Sequence, residues 1–263
     1  MSRDPVWQPL SEELAHWSHA GRTATFWLRD DDAVEPTANL DRLIHLTGTF
    51  DIPTVLAVIP ARTGEALARR LASEPHMSVA AHGWSHENHA PANEKKQELG
   101  PHRPRQTILA ELTAALARMQ SLFGQRLVPM LVPPWNRIDA GLLADLDSIG
   151  FKALSVYGPA KPAPIRMLNS TIDLMDWHGT RGCHDHSLLV QAIVGQLQHA
   201  FESSGGEIGL LLHHLVHDEA AWNFLERLFE VASRHGACEW RSVRDIIGIE
   251  RGGSDAAPDA GPA

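Results

Sequence analysis

The chain has 263 residues, 43% hydrophobic and 21% charged, which suits a soluble globular core and excludes a disordered or fibrous chain. A formal net charge of −9, without any block of basic residues, argues against nucleic-acid or anionic-membrane binding. Two unpaired-looking cysteines, Cys183 and Cys238, exclude a disulfide framework or a cysteine zinc site, and no run approaches the roughly 20 apolar residues of a membrane helix.

Short apolar runs alternate with amphipathic ones. Residues 23–28 read as a strand, 38–46 as a helix and 53–59 as a second strand. Residues 65–73 follow as a helix, with Leu67 and Leu71 one turn apart, before a strand over 77–81 that ends at His82. Ile108, Leu112, Leu116 and Met119 keep helical spacing over 105–123, and Gly124 is placed to cap that helix. A strand over 127–132, a helix over 140–149 and a strand over 152–156 come next. The pattern then repeats with a short strand at 172–175, a helix over 187–201 and a nearly continuous apolar strand at 207–212. Trp222, Leu225, Phe229 and Ala232 place an apolar stripe on another helix. A short run at 238–240 and a helical turn at 243–247, capped by Gly248, complete the series.

Repeated strand–helix units predict an α/β fold with a parallel sheet, and their number predicts closure into a barrel. With no Pro/Gly/Ser-rich linker, residues 1–250 read as one domain and the Gly/Ala/Pro/Asp-rich residues 251–263 as a disordered tail. The polar loop 87–104, which holds three prolines, is expected to form part of a substrate groove. Polar clusters at 29–32, 82–89, 133–137, 173–177 and 213–217 all follow apolar runs, so they fall at the C-terminal strand ends, the face of a barrel that carries chemistry.

The cluster His82-Gly83-Trp84-Ser85-His86-Glu87-Asn88-His89 is hard to explain as packing. Two imidazoles four residues apart can reach one divalent ion, and the carboxylates of Asp30-Asp31-Asp32 offer a further ligand and a base. Taken alone, the acidic triplet has a lesser alternative as a turn capping the next helix. Neighbouring side chains of a regular strand point opposite ways, so all three aspartates cannot enter one site from such a strand.

Taken in order, these motifs resemble the polysaccharide deacetylase family, also called the NodB-homology family or carbohydrate esterase family 4, over residues 26–218. The resemblance implies a distorted (β/α) barrel that removes acetyl groups from sugars with a divalent metal. It makes Asp31 the general base and Asp32 a metal ligand, with Asp30 and Asp31 as the alternative pair, and it makes His82 and His86 the other ligands. In the third motif, Val132-Pro133-Pro134-Trp135-Asn136-Arg137, valine stands where the family has the arginine that orients the base. Either Arg29 or Arg137 is then expected as its positive partner. Asn136 replaces a glycine, and Pro134, Trp135 and Asn136 are expected at the substrate surface. Asp173-Leu174-Met175-Asp176-Trp177 matches the Asp-x-x-Asp-Trp pattern, in which Trp177 walls the pocket and an aspartate, Asp176 or Asp173, holds the catalytic histidine. Leu210-Leu211-Leu212-His213 supplies that histidine as general acid; His213 is chosen over His214 by register.

Two imidazoles and one carboxylate suit Zn2+ by default, with Co2+, Ni2+, Fe2+ or Mn2+ as alternatives. The expected partner is an acetylated sugar or small acetylated amine. Residues 1–7 lack the apolar stretch of a signal peptide, so a cytoplasmic location is expected. Two rivals remain: a metal-independent amidohydrolase of the same fold, and a non-catalytic metal- or carbohydrate-binding module.

Overall fold

The computed structural model describes residues 4–203 and 205–249. The tail expected at 251–263 lies outside them. Strands β1 (Ala24–Ala33), β2 (Thr54–Val58), β3 (Met77–His82), β4 (Leu127–Val132), β5 (Ala153–Leu154), β6 (Arg166–Met167), β7 (Ile172–Asp173), β8 (Glu207–Leu212) and β9 (Cys238–Trp240) make one sheet. Its order is β6-β5-β4-β3-β2-β1-β8-β7, and every neighbouring pair is parallel. β9 shares an edge of β1 with β2: it takes Ala24 to Phe26, and β2 takes Leu28 to Ala33.

Helices α1 (Gln8–His19), α2 (Ala38–Thr49), α3 (Glu65–Leu71), α4 (Arg105–Phe123), α5 (Leu146–Ile149), α6 (His186–Glu202), α7 (Glu219–Ser233) and α8 (Val243–Ile246) accompany the sheet. Thr37, Asp185, Asp218 and Ser242 cap four of them, each side chain accepting a backbone N–H of the first turn. No helix among the described residues is long and apolar enough to cross a membrane.

The curled sheet is the expected distorted (β/α) barrel. Its seam falls between β6 and β7, which pair with β5 and β8 but not with each other. The chain itself spans that seam. Ser170 donates its N–H to the Val156 carbonyl on one side, and Thr171 donates to Gly209 on the other.

Several elements differ from the sequence reading. Helix α1, whose Leu10, Leu14 and Trp17 are buried at helical spacing, has no counterpart there. The helix expected over 140–149 is a 3₁₀ segment, Ala140–Asp145, followed by the single turn of α5; the Asp139 carboxylate accepts the Gly141 N–H at its start. The first strand runs five residues beyond the apolar run, because the charges of Arg29 to Asp31 find partners within the fold.

Alternation along the strands separates two apolar layers. Phe26 and Leu28 of β1, with Ile208, Leu210 and Leu212 of β8, pack outward with the helices. Trp27, Val55, Ala57, Ala80, Val128, Met130, Val132 and Ala153 point inward and fill the barrel, joined by Val243 and Ile246 of α8. Arg244 of α8 donates to the Gln125 and Leu127 carbonyls at the start of β4, so this short helix plugs the end opposite the polar clusters.

Gly209 is a tight point of this interior. It pairs with Trp27, and a Cβ there would lie 2.5 Å from the indole Nε1. Because the indole is fully buried and cannot swing aside, Gly209→Ala should cost about 1–3 kcal/mol by overpacking and lower Tm by several degrees. Thermal unfolding should show Gly209→Ala/Trp27→Phe recovering part of that loss.

Candidate metal centre and active site

The acidic triplet resolves into three different roles because β1 carries a one-residue irregularity. Asp30 pairs with Leu56 of β2 but Ala33 pairs with Val58, so three steps on β1 face two on β2. Before this bulge the alternation is regular: Arg29 and Asp31 face the barrel interior, and Asp30 faces the helices. At Asp32 the backbone enters the left-handed region (φ 73), which turns its side chain back toward the rim.

Asp30 is fully buried and accepts the backbone N–H of His214 at 2.8 Å, while its other oxygen is bonded to the His214 ring Nδ1. Burial resists a charge on that ring, but Asp30 overrides it and raises the His214 pKa. This pair ties β1 to the turn after β8 from the outer side. It leaves Asp31 and Asp32 as the inward pair and His213, not His214, on the inner face.

Arg29 is fully buried, and its guanidinium is answered on several sides. Nε lies 2.9 Å from Asp31 Oδ1, and an Nη donates to Asp31 Oδ2 at 3.0 Å. The Nη atoms also donate to Ser155 Oγ and Asn136 Oδ1, each at 2.7 Å. Of the two arginines expected as the partner of Asp31, Arg29 fills the place. Arg137 instead donates to the Lys96 carbonyl at 2.8 Å, outside this network.

Asp32, His82 and His86 bring one donor atom each to within 4.8 Å of one another. Asp32 Oδ1 is 3.1 Å from His82 Nε2 and 3.3 Å from His86 Nε2. The His82 Nδ1 is 2.9 Å from the Val132 carbonyl, which can only accept; Nδ1 therefore carries the hydrogen and Nε2 is the atom offered to a cation. Burial alone would raise the Asp32 pKa, but a protonated His82, with hydrogens on both ring nitrogens, bonds the carboxyl through Nε2, and this bond with the charges of His82, His86 and His213 outweighs burial and holds the carboxyl below its usual range. Burial works against a charge on His82 too, yet Asp31 and Asp32 raise its pKa; on His86, burial and then His82 lower it. One hard oxygen and two imidazole nitrogens fit a divalent transition metal, with coordination positions to spare.

Left-handed backbone recurs around these ligands: Gly83 (φ 60), His86 (φ 61), Trp135 (φ 53) and Asn136 (φ 57) all adopt it. Trp135 leans its ring against His86 at 4.4 Å between centroids, and so flanks the ligand cluster. The other two loop residues turn inward. Pro134 is buried, with its ring against Gly83, and Asn136 directs its carbonyl at Arg29; both shape the loop from beneath the expected substrate surface.

On the far side of the rim, Trp177 meets the His213 ring edge-on at 4.7 Å and donates its indole N–H to Asp173 at 2.9 Å. Burial raises the Asp173 pKa, and His213 is near enough to oppose that shift. Asp176, expected to hold His213, does not reach it. Its two oxygens accept the Gly179 and Thr180 N–H groups and cap the following turn. Of the two aspartates it is Asp173 that lies on the His213 side, linked to that ring through Trp177.

His89 lies outside the ligand cluster and is tied in by its backbone, which donates to the Gln97 carbonyl. Sequence reasoning missed Ser155, the Asp30–His214 pair, the exposed Tyr157 whose pKa is raised by burial and by Asp173, and the buried Glu98. Both cysteines are unpaired, and burial pushes each thiol up to about 12.

His217 supports this side from below. Its Nε2 accepts the His213 N–H at 3.3 Å, its ring packs edge-on against Trp222, and burial holds its pKa down to about 4. In the unfolded chain that ring titrates at its ordinary value of 6.5. The stability tied to neutral His217 is therefore complete above pH 6.5, falls as pH drops toward 4, and is flat below. At most roughly 3 kcal/mol is involved. His217→Phe should flatten this part of the acid limb, measured as the difference in unfolding free energy between pH 7 and pH 4.5 against wild type.

The comparisons with known proteins bear on the family and the fold. The family model described as polysaccharide deacetylase matches residues 21–154. Among solved structures, one titled as a polysaccharide deacetylase from Mycobacterium smegmatis superposes with a TM-score of 0.66 at 16% identity, covering 87% of this chain and 90% of that one. A peptidoglycan N-acetylglucosamine deacetylase gives 0.58 at 14% identity, covering 87% and 90%. An allantoinase gives 0.61 at 14% identity, covering 89% and 91%; at such identities these likenesses establish the fold. No curated protein matches in sequence. With the family model spanning half of the sequence, the chain belongs to the polysaccharide deacetylase family.

Proposed function

We propose that the chain is a metal-dependent hydrolase that removes an N-acetyl group from a sugar or a related acetylated amine. The observation that carries this reading is the convergence of the Asp32, His82 and His86 donor atoms at the strand ends, beside the Arg29-bound Asp31. A divalent cation held by those three residues would supply Lewis acidity to the acetyl carbonyl and make a water acidic enough to attack near neutral pH. Zinc is our choice, with cobalt, nickel, iron or manganese as alternatives.

Asp31 takes the proton of the attacking water, and Arg29 holds its carboxylate in place through two contacts. His213 delivers a proton to the departing amine, which would otherwise have to leave as a strongly basic anion. Asp173 and Trp177 orient that imidazole, and the backbone bond to His217 steadies its main chain. Trp135 and Trp177 flank the site from opposite sides and offer aromatic faces to a sugar ring. An amide hydrolase without a metal would have no need of two imidazoles and a carboxylate with converging donor atoms, so the donor set favours the metal-dependent reading.

Metal content of the wild type should be about one ion per chain and should be lost, together with acetate release from acetylated sugars, in His82→Ala/His86→Ala. A metal-free wild type that still hydrolyses an amide would instead favour the metal-independent reading. His213→Ala should slow amide hydrolysis by about 100- to 10,000-fold while sparing activated esters, whose leaving groups need no proton; equal loss of both would remove His213 as the acid. Arg29→Met should abolish most activity and lower Tm, because Asp31 is left buried without its cation, whereas Arg137→Ala should stay within a few-fold of wild type in kcat.

A further inference from the structure

The loop between the two histidine ligands is clamped by a carboxylate outside the motifs. Glu98 is fully buried, and among the described residues no Arg, Lys or His pairs with it. Its Oε1 accepts the Ser85 N–H at 2.7 Å and the Ser85 hydroxyl at 3.1 Å, and both oxygens lie 3.3 Å from the Trp84 N–H. Two successive backbone N–H groups thus form an anion-holding concavity, filled by a side chain of the same protein. Gly83 completes it: a Cβ there would lie 2.1 Å from Glu98 Oε2 and 2.7 Å from Pro134, so only glycine leaves room for the carboxylate.

Only Gly83, Trp84 and Ser85 separate the two imidazoles, and left-handed backbone at Gly83 and His86 reverses the chain there. The strand supports His82, and the reversal is tied down by the Gly83 N–H on the Val132 carbonyl and the Ala61 N–H on the Trp84 carbonyl. The segment carrying Glu98 adds the hold on Ser85, the residue next to His86. It also fastens the neighbouring loops: Gln97 accepts the His89 N–H, Lys96 accepts Arg137, and Leu99 accepts the Asp139 N–H.

We infer that Glu98 is a positioning residue for the metal centre: by holding the Trp84 and Ser85 amides it presets the distance between His82 and His86 and so controls how tightly and how long a divalent cation is held. The inference rests on the metal-dependent reading above. Glu98 touches neither substrate nor cation; it acts through the backbone of the ligand loop.

The test is the affinity and release rate of Zn2+, measured by competition with a chromophoric chelator, and the visible spectrum of the Co2+-loaded protein. Glu98→Gln keeps the shape but turns an N–H donor against the two amides. It should weaken Zn2+ binding and speed release by about 10- to 100-fold, the usual effect of losing an outer partner of a metal site, and should alter the Co2+ spectrum. Ser85→Ala removes only the hydroxyl bond and should give a few-fold change in the same direction; it carries the test if Glu98→Gln does not fold. Glu94→Gln, in the same loop but paired with His102, should match wild type. Unchanged Zn2+ affinity and Co2+ spectrum in folded Glu98→Gln, with only Tm lowered, would make Glu98 a structural carboxylate and overturn the inference alone. A wild type that takes up neither Zn2+ nor Co2+ would overturn both this inference and the metal-dependent reading.

Discussion

A guanidinium buried inside a barrel is tolerable only if it is answered on every side, and the site is organised around that requirement. An unpaired buried charge costs several kcal/mol, so Arg29 draws in Asp31 from its own strand, Ser155 from the end of β5 and Asn136 from the loop after β4. Each partner is thereby fixed in orientation. Asp31 is held at the rim, and the Asn136 contact pins the loop that places Trp135 beside His86. A single buried cation thus couples three elements far apart in sequence. Asp31 thus has a positive partner two residues earlier on its own strand face, although the third motif carries Val132.

The second organising constraint is strand alternation, and its interruption. A regular strand would send Asp32 to the helix side with Asp30. The bulge after Asp30 places Asp31 and Asp32 together instead, while Asp30 is left to bond His214 behind the sheet. The same alternation at the end of β8 sends His213 inward and His214 outward. The two buried pairs, Arg29–Asp31 inside and Asp30–His214 outside, therefore hold β1 from both faces at the level where the chemistry is arranged.

Much of this was legible in the sequence because it is local. Apolar periodicity marked most strands and helices, and His82 and His86 stand out because both imidazoles sit in one five-residue motif at a strand end. The one-residue ambiguity in the aspartates was not resolvable that way, since a bulge leaves no mark in an Asp-Asp-Asp run. The choice between Arg29 and Arg137 depends on where a loop turns, and Asn136 and Trp135 make that turn with left-handed backbone that neither residue type announces. Asp173 and Asp176 are interchangeable as letters in an Asp-x-x-Asp-Trp pattern; only the turn capped by Asp176 separates them. Glu98 was invisible because it sits among Glu94, Lys95, Lys96 and Gln97, where a charged residue reads as solvated loop.

The left-handed residues around the rim also bear on how such a chain can drift. Asp32, His86, Trp135 and Asn136 each hold a conformation that costs an L-residue roughly 1 kcal/mol or more, so together they take up a sizeable part of the 5–15 kcal/mol that typically separates folded from unfolded domains. Glycine at any of these positions would relax the backbone while deleting a carboxylate, an imidazole, an indole or an arginine contact. Selection for robustness alone would therefore erode this rim first, and a lineage that keeps all four side chains in these conformations does so against the pull of its own folding energy.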